Sequence, residues 1–502
     1  MDLTLPMNRI EQLTFTRFVI VILVLFAHDV TGPYLEPLLF FPLSALVRSG
    51  SSGVSYLFIL SGFVMTYVYY RQDRTFDYIA YWRARFARFY PLYIISFALT
   101  CVYYYDSLLQ IKPQKILANI FVVQAWIPKY AQSFNFVTWS MSVEIFFYLF
   151  FPFFLLWAYR QPTRKLIWVS LAAWAVNVVV YYFVWNACIL EYREFVLYFP
   201  VFYTGAFLVG IVGGIWYLRE GRHEVISPAK SFVILSVSFL LLAAYTVIST
   251  DFYPELPHDI RPMTGFLAPL MIFFIVALSM DKSFVSRILS HKFLVDLGET
   301  AYALYILHIP VKWLYEWGLA ASGIANPEGI FRVTFLPLIL VVSYVAHFYV
   351  DAPIRRWLKS LLQTLSLRVF VADILIVLLV AFAVFPLRFG TGNEYRSYRE
   401  MERLALWVSF FAIPTMLILF RACRYEDIVA PGFFWARSTA AGVTLGFIVV
   451  SGAAYAGYAT GWFENFPRSV FFFGWLVTLG LSLLFRFGMR AWRAKRPQPV
   501  AE

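Results

Sequence analysis

"RFVIVILVLFAH", residues 17–28, sets ten consecutive apolar residues between an arginine and a histidine. Such a run forms a helix sheltered from water, and the two side chains that flank it are costly to dehydrate. The solvent around that helix decides the fold. Of 502 residues, 61% are apolar, 20% aromatic and only 14% charged, too few polar groups to cover so long a chain in water. Apolar runs near the ~20 residues that cross a bilayer recur along the whole chain. The sequence therefore reads as an all-α integral membrane protein that crosses the bilayer many times.

Breaks at charged residues, proline and glycine divide it into about fourteen expected membrane helices. Ten lie at roughly 12–30, 53–70, 89–105, 140–158, 166–186, 197–217, 231–249, 263–280, 299–319 and 332–350, and four more at roughly 369–387, 404–420, 437–459 and 469–485. The stretch 116–127, "ILANIFVVQAWI", is too short to span and reads as interfacial or re-entrant. A composition break at 360–368, "SLLQTLSLR", separates a ten-helix module (1–360) from a four-helix module (365–502). The formal charge of +12 lies in the short loops, where Lys and Arg orient a membrane protein and face anionic lipid, so a nucleic-acid partner is not expected. With both termini cytoplasmic, the inner loops hold roughly 27 Lys and Arg against about 12 outside. Cys101, Cys188 and Cys423 are isolated and lack metal-ligand spacing, so neither a disulfide framework nor a metal site is expected. Arg17, His28 and Asp29 also exclude a cleaved signal peptide for the first segment.

Eleven residues at about 100° each return Arg17 and His28 to one helix face, roughly 16 Å apart along the axis. Taken singly, Arg17 snorkels to the inner headgroups and His28 marks the outer interface. A functional stripe needs further polar groups in the membrane, and the sequence supplies them. "VTWSMSVEIFFYLFFP" (137–152) carries Glu144 about five residues inside Trp139, at a depth expected to match His28, with Tyr148 one turn further in. "LGETAYALYILHIPVKW" (297–313) carries Tyr305 and His308, then Lys312. His308 alone reads as a satisfied core histidine; His347 has no polar company, and His223, His258 and His291 fall in loops. Arg71, Arg74, Arg83, Arg85 and Arg88, interleaved with Tyr and Trp, suit positive-inside topology and equally a phosphorylated, adenine-bearing ligand, because guanidinium pairs with phosphate and stacks on rings. Gly53, Ser61 and Gly62 in "SSGVSYLFILSGF" permit close helix packing, with a substrate groove as the second reading.

In order along the chain, the Arg17–His28 spacing, "YLFILSGF", Arg85 and Arg88 followed by "YP", "WSMSVE", "LGETAYALYILH" and "DAPIRR" resemble the acyltransferase-3 family of bacterial membrane O-acyltransferases, over about residues 5–358. Ala301 replaces the usual small hydroxyl residue and Asp351 the commoner Glu. The resemblance implies a bacterial inner-membrane enzyme that moves an acyl group, most often acetyl, from cytoplasmic acyl-CoA to a glycan outside the bilayer, with no metal. It implies Arg17, Arg85 and Arg88 at the CoA, His28 as general base or transient acyl carrier, Glu144 assisting it, and Tyr148, His308, Tyr305 and Ser61 in support. The Arg17–His28 separation is of the order of an extended pantetheine arm.

Residues of about 365–493, including "VFVADILIVLLVAFAVFPLRF" and "FRACRYEDIVA", resemble the membrane domain of capsular-polysaccharide nucleotide-sugar dehydratases and epimerases. No glycine-rich nucleotide loop accompanies it, so dehydratase activity is not implied. The implied partners are a lipid-linked glycan and polysaccharide assembly proteins. Two other classes compete: a flippase of polyprenyl-linked sugars, which favours broken helices in matched halves, and a non-catalytic scaffold, which has no need of Arg17, His28 and Glu144.

Overall fold

The structure is a computed structural model that describes residues 9–28, 50, 53–71, 73–107, 110–187, 197–223, 227–247, 265–390 and 392–494. Cys188 and His258 lie outside them. The described residues are helical, with one isolated bridge between Leu365 and Arg424 in place of any sheet. The chain forms two compact units, Met1–Arg356 and Trp357–Glu502.

The first unit contains α1 (Gln12–Ala27), α2 (Gly53–Tyr69), α3 (Tyr78–Tyr103), α4 (Pro113–Ile120), α5 (Trp139–Ala158), α6 (Thr163–Ala187), α7 (Thr204–Arg219), α8 (Pro228–Val247), α9 (Ala268–Met280), α10 (Lys292–Ala321) and α11 (Pro327–Val345). A π-helical turn, Ala346–Asp351, leads from α11 into α12 (Ala352–Thr364). The second unit is built from α13 (Leu367–Phe389), α14 (Arg399–Leu419), α15 (Phe434–Ala459) and α16 (Arg468–Ala494).

Each of the fourteen expected segments falls on a helix, but the helices differ in how well they suit a bilayer. Ten among the described residues are long and apolar enough to cross, counting Pro327–Thr364 as one helix of 38 residues. α1, α2 and α9 are apolar but shorter, at 16, 17 and 13 residues. α10 has the length, 30 residues, but carries Lys292, Asp296, Glu299, Lys312 and Glu316. The 116–127 stretch does stop short of spanning: α4 has eight residues and breaks into 3-10 turns at Gln124–Trp126 and Pro128–Tyr130.

Glycines set the distances between the helices that matter most. A Cβ on Gly298 of α10 would lie 2.3 Å from the Thr14 carbonyl oxygen of α1, so those backbones touch. A Cβ on Gly62 of α2 would lie 2.5 Å from the Phe207 carbonyl oxygen of α7, which makes packing the role of that glycine. α3 and α10 are tied in register by Tyr302 Oη donating to the Phe89 carbonyl at 2.6 Å and Ser96 Oγ donating to the Ile306 carbonyl at 2.9 Å. Asn135 Nδ2 reaches the same Ile306 carbonyl at 2.8 Å and anchors the approach to α5. α1 and α10 run parallel: Arg9 pairs with Glu299 and Thr14 meets Gly298 at one end, while His28 meets His308 at the other.

Candidate active site

Two polar groups occupy this frame, one at each end of the α1 stripe. At the far end His28 caps α1, its backbone N–H bonding back to the carbonyls of Leu25 and Val24. Its ring lies 5.1 Å from Phe136 and 5.6 Å from His308, centroid to centroid. His308 is fully buried on α10, and its Nδ1 lies 2.7 Å from the Tyr305 carbonyl oxygen. A carbonyl can only accept, so Nδ1 carries the proton and Nε2 keeps its lone pair. That Nε2 has no hydrogen-bond partner among the described residues. Beneath it the Tyr305 and Ser140 hydroxyls lie 2.8 Å apart, and Tyr305 Oη donates to the Val137 carbonyl at 3.1 Å. His308 is thus not the satisfied core histidine that its isolated position in the sequence suggested.

At the near end Glu144 is held by two hydroxyls, Ser61 Oγ at 3.0 Å and Tyr148 Oη at 2.7 Å. Spacing of one turn on α5 aligns Tyr148 with Glu144, and the small residues of α2 admit Ser61. Arg17 is within electrostatic reach of Arg88, Arg9, Glu144 and Tyr56. Glu144 acts on Arg17 and Arg88 and also on Tyr305, so it lies between the two groups and below the level of His28 that the sequence suggested. The reason is the entry of α5: the 3-10 turn Phe136–Thr138 lies at the histidine level, Ser140 lies at the level of Tyr305, and Glu144 comes one turn deeper.

Arg85 sits in an aromatic box. Its guanidinium lies 4.9 Å from the Tyr69 ring, 5.7 Å from Tyr148 and 5.8 Å from Tyr81, and Nη2 donates to Tyr69 Oη at 3.0 Å. Its buried Nε has no partner among the described residues. Arg88, one turn on, is exposed and feels the charges of Arg85, Arg355 and Glu144. Donors left open beside an accessible cation are what a phosphate-bearing ligand needs.

Sequence reasoning missed the company of His347. On the π-helical turn its Nε2 lies 3.8 Å from Glu299 Oε2 and its Nδ1 3.7 Å from Asp351 Oδ2. Asp351 is buried, with Arg355 Nε 3.0 Å from Oδ2 but poorly aligned for a hydrogen bond. The spacing His347, Asp351, Arg355, each four residues on, was the available signal. It joins "DAPIRR" to the Arg9–Glu299 pair of the near end. Lys312, expected nearer the far end, pairs with Glu316 at 4.0 Å.

Comparison with known proteins places the chain among acyltransferases. The chain is 26% identical over 332 residues to the acyltransferase MdmB of Streptomyces mycarofaciens, a match covering 62% of this chain and 82% of that one. It is 23% identical over 335 residues to the O-acetyltransferase OatA of Staphylococcus aureus and 24% identical over 338 residues to the peptidoglycan O-acetyltransferase OatA of Listeria monocytogenes. Those two matches cover 62% of this chain but only 53% and 52% of the OatA chains, so it spans about half their length. No solved structure matches. The acyltransferase-3 family profile, described as an acyltransferase domain, matches residues 10–348, the whole stretch from the Arg9 end of α1 to the π-helical turn. With its many apolar helices, the chain is a multi-pass membrane protein that belongs to the acyltransferase-3 family.

Proposed function

We propose that this protein is an O-acyltransferase of the bacterial inner membrane, both termini cytoplasmic, that transfers an acyl group, most simply acetyl, from cytoplasmic acyl-CoA to a hydroxyl of a surface polysaccharide or its lipid-linked precursor. One observation carries the reading: a single helix, α1, has an arginine-rich group at one end and a histidine pair at the other. The OatA relatives, by name O-acetyltransferases and one of them acting on peptidoglycan, support acetyl as the group and a glycan as the acceptor.

In this reading Arg85 and Arg88 hold the phosphates of CoA, Arg17 adds charge beside them, and the tyrosines around Arg85 offer faces for the adenine. Glu144, fixed by Ser61 and Tyr148, sets the spacing of those cations and limits their mutual repulsion. The pantetheine arm runs along α1 and delivers the thioester to His28. His28 takes the proton of the acceptor hydroxyl as its oxygen attacks the thioester carbon. The new C–O bond forms, the C–S bond breaks, and the imidazolium returns the proton to the departing CoA thiolate. The four-helix module, residues 365–502, serves delivery to the glycan through lipid-linked intermediates or assembly proteins.

NMR of the surface polysaccharide from cells with and without the protein tests the proposal. Loss of base-labile ester at unchanged chain length is the expected result. Unaltered ester content with lipid-linked sugar accumulating in the cytoplasmic leaflet would replace the enzyme by a flippase.

A further inference from the structure

The mechanism above leaves the buried imidazole of His308 unused. His308 is enclosed completely, so a glycan hydroxyl reaches His28, which is half-buried, before it reaches His308. Yet Nε2 of His308 is an acceptor without a donor among the described residues, and a buried nitrogen left unsatisfied is costly unless a partner arrives at some stage of the work. The neighbour best placed to arrive is His28. Two imidazoles joined by an N–H···N bond of about 2.9 Å have centroids about 5 Å apart, since each ring adds its own radius. The observed 5.6 Å, with planes tilted by 41°, exceeds that separation by about half an ångström and leaves the two rings within reach of such a bond. Catalytic hydrogen bonds are often long before substrate binds.

We propose that His308 is the positioning residue of His28: its Nε2 accepts the N–H of the His28 ring, fixes the tautomer whose other nitrogen faces the acceptor hydroxyl, and stabilises the imidazolium that forms when His28 takes the proton. The inference rests on the reading of His28 as the base. The Tyr305 carbonyl supplies the second half of the device, since its bond to Nδ1–H keeps the lone pair of His308 on Nε2. Protons balance without a further reactant: His28 gains one from the hydroxyl, shares the charge with His308 across the N–H···N bond, and passes it to the CoA thiolate. The packing of α1 on α10 at Gly298 keeps the two rings in reach.

The test compares full-length purified His308→Gln, His308→Leu and His28→Ala for transfer from acetyl-CoA to the acceptor glycan, with acetyl-CoA binding measured separately. A positioning role predicts that His308→Leu loses about 10²–10³-fold in kcat with KM and acetyl-CoA affinity within twofold of wild type. His308→Gln, whose amide oxygen still accepts from His28 but takes no proton, should recover part of that loss. If both variants keep wild-type kcat while His28→Ala is inactive, His308 has no such role and the base assignment survives. If both lose transfer and acetyl-CoA binding together, or Gln is no better than Leu, His308 is structural and the proposal falls. If His28→Ala itself transfers normally, the underlying assignment of His28 is wrong instead.

Discussion

Two arginines, one in each unit, show how differently a membrane protein can treat a charge. Arg486 of α16 is fully buried, and all five of its N–H groups are used: two meet Asp373 of α13 at 2.8 and 2.6 Å, two meet the Ala422 carbonyl at 3.2 Å and one meets the Ser482 carbonyl at 3.2 Å. Cys423 adds a thiol donor to Asp373 at 3.5 Å. Arg85 in the first unit has one tyrosine hydroxyl, three ring faces and an Nε without a partner among the described residues. A saturated guanidinium is a staple between helices, whereas an open one, beside an exposed Arg88, keeps its binding capacity for a ligand. The same contrast separates His308, with its free lone pair, from any group in the second unit's central ion pair.

The comparison breaks most visibly at the histidine end. His28→Ala should cost about 10²–10⁴ in the rate of acyl transfer, read with labelled acetyl-CoA, while acetyl-CoA binding stays near wild type. Normal transfer by this variant would leave His28 an interfacial anchor.

In the second unit the large effect should fall on stability. Asp373→Ala leaves Arg486 buried without its counter-charge and should cost roughly 3–5 kcal/mol, seen as an early unfolding transition of the detergent-solubilised protein. Asp373→Leu combined with Arg486→Met removes both charges and should recover most of it. A double variant as unstable as the single one would mean that the pair does more than staple α13 to α16.

The donor end comes next. Arg85→Ala and Arg88→Ala each remove a charge-assisted contact worth roughly 1.5–3 kcal/mol, so acetyl-CoA affinity should fall by about one to two decades. Glu144→Gln should now group with these variants and not with His28→Ala, because its charge acts on Arg17 and Arg88. Isothermal titration with CoA, set beside single-turnover transfer, separates the two groups.

How far the sequence foretold this depends on which contacts are local. Helices were legible because apolar runs between charged breaks are a local signal. The shortness of α4 was legible for the same reason. What was lost lies between helices. Depth counted from Trp139 put Glu144 level with His28, but the 3-10 turn before α5 and the register of Tyr305 against Ser140 set it a turn deeper. His308 looked satisfied and His347 solitary because their neighbours, His28 and Glu299, come from elsewhere in the chain or lie dozens of residues away. The Asp373–Arg486 pair spans 113 residues, and no local pattern announces it.

The smallest effect should come from a closed carboxylate in the same unit as the open site. Asp281, just past α9, takes Ser231 Oγ at 2.5 Å on one oxygen, with the Ser283 backbone N–H at 3.2 Å, and Ser283 Oγ and the Ser286 backbone N–H, both at 2.9 Å, on the other. Burial alone would raise its pKa, but these four donors outweigh burial and hold it below the usual carboxylate range. A depressed folded-state pKa stabilises the fold above the unfolded value, and that contribution disappears as pH falls through the folded one. Asp281→Asn puts an amide N–H against these donors and should cost about 1–3 kcal/mol at neutral pH, with the deficit narrowing below the ordinary carboxylate pKa. Transfer by the folded variant should be unchanged, since none of these partners belongs to the histidine or arginine groups. Thermal unfolding at pH 7 and pH 3.5, paired with a transfer assay at pH 7, checks both halves. A variant of normal stability but reduced transfer would show that saturation of a buried charge does not mark it as structural, and would remove the criterion that separates Arg486 from Arg85.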